Sequence, residues 1–144
     1  MQSANYTAIM LAILSDYDVK RHLDVLLSIW TSSQWSEVWE SLNCQVHSFG
    51  SLGLPPNLPD AELWKFCQAR EMLLLTGNRN SDGDDSLEAT SRKLNQPNCL
   101  PVLTIANAER LIADRVYAEQ VASRIIDILV DLETLRGTRR LFVP

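Results

Sequence analysis

Asp16 and Asp18 follow an apolar run, Ala8 to Ser15, and a second apolar run, Met72 to Thr76, leads into the polar stretch Gly77-Asn78-Arg79-Asn80-Ser81-Asp82-Gly83-Asp84-Asp85. Carboxylates, amides and a hydroxyl are thus gathered where apolar segments end. Oxygen donors of this kind suit magnesium or manganese, which take carboxylates, waters and substrate phosphate oxygens. An ion held this way can activate water and neutralise charge on a phosphodiester as it is cleaved. Asp16 is the principal metal-ligand candidate, because an acid closing a buried strand costs free energy unless it is solvated, paired or coordinated. Asp82 and Asp84 add carboxylates if their loop folds back over the strand ends. Asp18 is either a further acid or the N-cap of the helix that follows it.

These residues need a scaffold. Ala8 to Ser15 and Met72 to Thr76 read as strands buried on both faces. Cys44 to Phe49, Leu100 to Ile105 and Leu141 to Val143 read as shorter ones. Between them, helical periodicity runs over Val19 to Trp30, over Trp35 to Leu42, onward from Asp60 as a cap, and over Ser86 to Asn95. A long helix carries an apolar stripe of Val116, Val121, Ile125, Ile128, Leu129, Leu132 and Leu135 and ends at Gly137, while Gly50 to Pro59 reads as a loop. This alternation predicts an α/β fold: a single three-layer domain over residues 1–144, with a mostly parallel central sheet of about five strands flanked by helices. Strand ends in such a sheet share one edge, so Asp16 and Asp18 are expected to face Asn78, Asn80 and Asn107 across one cleft.

Composition sets the outer bounds. The 144 residues carry a net charge of −5, which argues against a broad basic surface gripping nucleic acid through its phosphates. Any RNA or single-stranded nucleic-acid contact would be local, and Arg139-Arg140 reads as a solvated face. No apolar run approaches membrane length, and MQSANYT has no basic flank before its apolar segment. A cytoplasmic protein with no membrane partner is expected. Cys44, Cys67 and Cys99 show no metal or disulfide spacing and read as reduced thiols. His22 and His47 read as structural, since their spacing gives no zinc pattern. Trp30, Trp35 and Trp39 are either core residues or an anchoring patch for a protein partner.

Other motifs explain part of the acidic stretch. Asp85-Ser86-Leu87-Glu88 has capping-box spacing, which would direct Asp85 and Glu88 to backbone N–H groups. Asn78 to Asp84 imitates the start of an EF-hand loop, but its twelfth position is Ala89 and a strand precedes it. Asp16-x-Asp18, Thr76 and the acidic pair Asp84-Asp85 are also similar to haloacid-dehalogenase-type phosphatases. There the pair would close a later strand of its own, which it does not do here.

Three stretches taken together, LSDYD (Leu14 to Asp18), PDAELWKFCQAR (Pro59 to Arg70) and LLLTGNRN (Leu73 to Asn80), give a chain that resembles the PIN-like superfamily, in a compact branch related to VapC-type toxins. The resemblance covers nearly the whole chain and implies a magnesium- or manganese-dependent ribonuclease. It casts Asp16, Asp18 and Asp60 as catalytic acids and Asp16 as the metal ligand, to which Asp82 and Asp84 would add if their loop folds back. Thr76, Asn78 and Asn80 would position water or substrate, and Arg79 would contact phosphate. Toxins of that family commonly form homodimers, here through the long helix. Asn78 and Asn80 stand where the family's T-x-D-x-D motif has carboxylates, and neutral amides are weaker ligands for a hard ion. The alternative is therefore a catalytically degenerate PIN-like module that binds a protein partner.

Overall fold

The structure, a computed structural model, describes residues 11–79 and 83–144. Five strands, β1 (Ala12–Ser15), β2 (Gln45–His47), β3 (Leu73–Thr76), β4 (Val102–Ile105) and β5 (Arg140–Val143), form one sheet in the order β2-β1-β3-β4-β5. Every pairing is parallel. The chain builds outward from β1 to β2, then returns past β1 to lay down β3, so the order reverses between β1 and β3. In a doubly wound sheet that reversal opens a crevice at the strand C-termini.

Alternation along the strands supplies two cores. Ile13, Leu73, Leu75, Leu103, Ile105 and Val143 face one side, where they meet α1 (Lys20–Trp30), α2 (Ser36–Leu42) and α7 (Arg115–Val130). Ala12, Leu14, Leu74 and Val102 face the other, against α3 (Phe49–Leu52), α4 (Asp60–Ala69) and α5 (Leu87–Leu94). The three-layer α/β architecture expected from the sequence is present. On the second face each central strand turns from apolar to polar at its end: Leu14 gives way to Asp16, Leu74 to Thr76, and Val102 to Thr104. The polar edge therefore lies on the α3–α5 side.

Several local expectations are corrected. The run after Cys44 gives only three strand residues, and Phe49–Leu52 is a helical turn capped by Ser48 and Ser51 reciprocally rather than strand and loop. The first residues of the expected strand at Ala8 lie outside the described residues. The long helix is three: α6 (Ala108–Ala113), α7 and α8 (Leu132–Leu135). Asp114 breaks it by accepting from the N–H groups of Val116 and Tyr117, a capping geometry that starts α7 afresh. Val116 is left 63% exposed, while Val121, Ile125, Ile128, Leu129 and Leu132 are buried. The stripe packs inward against the sheet. Trp30 and Trp39 stack in the core at 4.5 Å, and the Trp30 indole N–H donates to the Ala122 carbonyl. The tryptophan patch proposed for a partner is interior packing, with Trp35 half-buried beside it. Among the described residues no helix is long and apolar enough to cross a membrane.

Gly137, read as a stop signal, sits just beyond α8 with φ +87, and a Cβ there would lie 3.0 Å from the Pro97 carbonyl oxygen. Both the left-handed backbone and the contact with main chain exclude a side chain. Gly137→Ala is expected to destabilise by about 1–3 kcal/mol, read as an earlier midpoint in urea unfolding; an unchanged midpoint would contradict this account.

Candidate functional site

At the β1/β3 reversal lies a cleft of about 440 Å³. Asp16, Asp18 and Asp60 line it, with Thr76, Gly77 and Asn78 on the β3 side. Sequence elements far apart thus meet where the strand order reverses, as the topology requires.

Asp16 is fixed from both sides. Its backbone N–H donates to the Leu75 carbonyl at 2.8 Å, carrying the β1/β3 ladder one residue past the strand. One carboxylate oxygen accepts from the Tyr17 N–H at 2.8 Å and the other from the Thr76 hydroxyl at 2.7 Å. Burial lifts the Asp16 carboxyl above the usual aspartate range, and Asp60 and Asp18 add to the lift against those two hydrogen bonds. A carboxylate that is desolvated and near like charges is destabilised, and a cation relieves it. Cys67 beneath the site has its thiol pushed up to about 12 by burial and by Asp16, so it is an inert core thiol.

Asp60 reaches the cleft from the first turn of α4, where Pro59 occupies the cap position. It is not the helix cap expected from the sequence. One of its carboxylate oxygens accepts from the Asn78 side-chain amide at 2.9 Å, and the Asn78 backbone N–H donates to the Thr76 hydroxyl at 2.9 Å. The result is two linked pairs, Asp16 with Thr76 and Asp60 with Asn78. Asn78 in particular lies where a carboxylate would repel Asp60.

The remaining candidates divide. Asp18 lines the cleft but caps nothing: Asp16 caps the 3-10 turn Tyr17–Val19, and α1 begins without a side-chain cap. Arg79 is exposed in the loop after β3, beside a shallow hollow that it shares with Asn107. Asn107 does not face Asp16; its side chain caps α6 and its N–H donates to the Tyr117 hydroxyl. Asp84 is exposed in the turn before α5 and does not line the cleft. Asn80 and Asp82 lie outside the described residues.

The expected helix cap is shifted by one residue. Ser86 caps α5 by accepting from the Ala89 N–H, which frees Glu88 for a different task. Its side chain, 15% exposed, pairs with Arg92, Arg139 and Arg140 at 2.6–3.1 Å. Burial pulls the Glu88 carboxyl upward, but the arginines outweigh it and hold the carboxyl below its usual range. Arg140 is not on a solvated face. Its side chain is 5% exposed, and one guanidinium nitrogen donates to the Thr104 hydroxyl at 2.6 Å and the Asn78 carbonyl at 3.1 Å. Arg140 thereby clamps the backbone of the residue whose amide holds Asp60.

His22 also lines the cleft. Its Nε2 lies 3.0 Å from the Ala108 carbonyl, an acceptor only, so Nε2 carries the proton and Nδ1 the lone pair. Burial pushes the imidazole below its ordinary value against the Ala108 bond, with Arg21 adding to the fall. A signal for His22 exists in the sequence, since Asp18 and His22 stand one helical turn apart; its lack of a partner histidine concealed it. Nothing local marks Arg140, whose partners lie 36 to 62 positions away.

All the acids facing the cleft offer hard oxygen donors, which fits magnesium or manganese better than zinc. Among the described residues no three His, Cys, Asp or Glu side chains stand close enough to hold an ion unaided. An ion here would draw its other ligands from water or substrate phosphate, the usual habit of magnesium. Compared with family models, curated proteins and solved structures, the chain has no match.

Proposed function

We propose that the chain is a PIN-like, divalent-metal-dependent phosphodiester hydrolase acting on RNA or single-stranded nucleic acid. The observation that carries this reading is Asp16: immobilised by two hydrogen bonds at the sheet's reversal point, raised in pKa by burial, and neighboured by Asp60 and Asp18. A magnesium or manganese ion held by Asp16 and Asp60 would offset charge on the substrate phosphate and acidify a water. Thr76 orients the Asp16 carboxylate, and the Asn78 amide does the same for Asp60. Arg140 anchors the Asn78 backbone, and exposed Arg79 lies within the same loop to meet the substrate strand. Metal-free Asp16, with its raised pKa, retains a proton to higher pH than a solvated aspartate.

The test is calorimetric titration of manganese into metal-free protein, followed by cleavage of labelled single-stranded RNA. Micromolar binding that disappears in Asp60→Asn supports the site; no binding up to millimolar manganese rejects the hydrolase.

The Asp60–Asn78 pair favours the second reading, a module that has given up catalysis and binds a protein partner. The two are separated by Asn78→Asp, which sets a second carboxylate against Asp60. Under the hydrolase reading this variant is expected to bind manganese roughly tenfold more tightly and, without metal, to melt a few degrees lower through like-charge repulsion. A lower melting temperature with no gain in metal affinity would count for the degenerate module.

A further inference from the structure

Tyr17 follows Asp16 directly, yet the residue is 53% exposed. It is held in place from two directions. The Tyr17 N–H is tied to Asp16 at 2.8 Å, and the ring leans on Phe49, which is buried, with centroids 5.9 Å apart at 59°. Tyr17 borders two hollows. One is the acidic cleft; the other, about 230 Å³, adds Ser15, Lys20, Ser48 and Gly50 to the shared residues Asp16, Tyr17 and Phe49. The two hollows meet at Asp16, Tyr17 and Phe49, so a strand running from one to the other passes along these residues.

We infer that Tyr17 is a stacking platform for an unpaired nucleobase of the strand whose phosphate lies at Asp16. This deepens the hydrolase reading and rests on it. An aromatic ring braced by a second ring, and fixed at its backbone, presents a flat face with little rotamer entropy left to lose. Stacking tolerates every base because every base has a π-face, so the platform selects unpaired strands rather than a sequence. Beside Asp16, the smaller hollow is lined by two aromatic rings, two serines, a glycine and Lys20, an exposed cation that pairs with Asp24 at 3.0 Å. That chemistry accepts a planar heterocycle beside an anionic backbone. A base paired within a duplex cannot leave its stack to reach the ring without an unpairing cost.

The experiment measures anisotropy of labelled, nuclease-resistant phosphorothioate strands in manganese. One is an ordinary single strand; the other has the same backbone with abasic positions. Tyr17→Ala is expected to weaken the ordinary strand about tenfold while leaving the abasic strand unchanged. Tyr17→Phe, which keeps the ring, is expected to match the parent. Equal losses on both strands, or none on either, would overturn the platform while leaving the hydrolase reading intact. If the parent protein binds neither strand, the hydrolase reading and this inference fall together.

Discussion

Asp16→Asn is expected to lower hydrolysis of single-stranded RNA by roughly 1,000-fold, the scale seen when a principal electrostatic group leaves a catalytic centre, while leaving the fold as stable as the parent or more so. The substitution keeps the shape. Thr76 and the Tyr17 N–H still meet a polar group, and a hydroxyl can reverse its role if the amide nitrogen faces it. What it removes is a negative charge that burial, Asp60 and Asp18 all oppose. Because the folded state holds the Asp16 proton more tightly than the unfolded chain, this group costs stability as pH rises from the ordinary aspartate range through the raised value. The variant lacks that loss, so its melting temperature should exceed the parent's at neutral pH without metal. Added manganese reverses the comparison. At about 100 times its dissociation constant, a ligand that binds only the folded state contributes about 2.7 kcal/mol, which the parent gains and the variant does not. Melting curves at neutral pH, with and without manganese, check both arms. A variant that melts lower than the parent in metal-free buffer would show that Asp16 is a structural acid.

Glu88→Ala should have the largest effect on stability, because it strands a buried guanidinium. Arg92 and Arg139 retain access to water, but the Arg140 side chain is 5% exposed and has Glu88 as its carboxylate partner. Breaking a buried pair from one side costs about 3–5 kcal/mol, or roughly 10–20 °C in melting temperature for a chain of this size. Replacing both groups, as in Glu88→Leu with Arg140→Met, is expected to cost less than Glu88→Ala alone, since no uncompensated charge remains inside. Chemical denaturation of the three proteins checks the order. The pH dependence gives a separate sign. With its folded pKa depressed from an ordinary value near 4.5, Glu88 supplies stability that is present above that value and lost as pH falls through the lowered one. The parent should lose more stability than Glu88→Ala does as pH falls below that ordinary value. The effect also reaches the cleft, because Arg140 releases the Asn78 carbonyl when its own position is lost.

The elements were legible wherever a single period governed a segment. Leu73 to Thr76, Ser86 to Asn95 and the apolar face of Lys20 to Trp30 needed no distant information. Alternation of strand and helix then specified a parallel sheet with helices on both faces. Legibility failed where one side chain decided a boundary. Asp114 split the long helix by capping its own downstream N–H groups, and Ser86 took the cap assigned to Asp85 one position away. Such contests are settled by fractions of a kcal/mol to about 2 kcal/mol, below what periodicity can resolve.

At the site, the local change from apolar to polar residues was enough to show that Asp16 closes a buried strand and that Thr76 closes another, with Asn78 just beyond it. Folding in three dimensions is what brings Asp60 to Asn78, turns Asn107 away to cap a helix, sets His22 and Tyr17 beside the cleft and buries Arg140. The physical reason is separation along the chain. Hydrogen bonds joining residues 18 to 62 positions apart follow from the order of strands in the sheet. No window along the sequence contains that order.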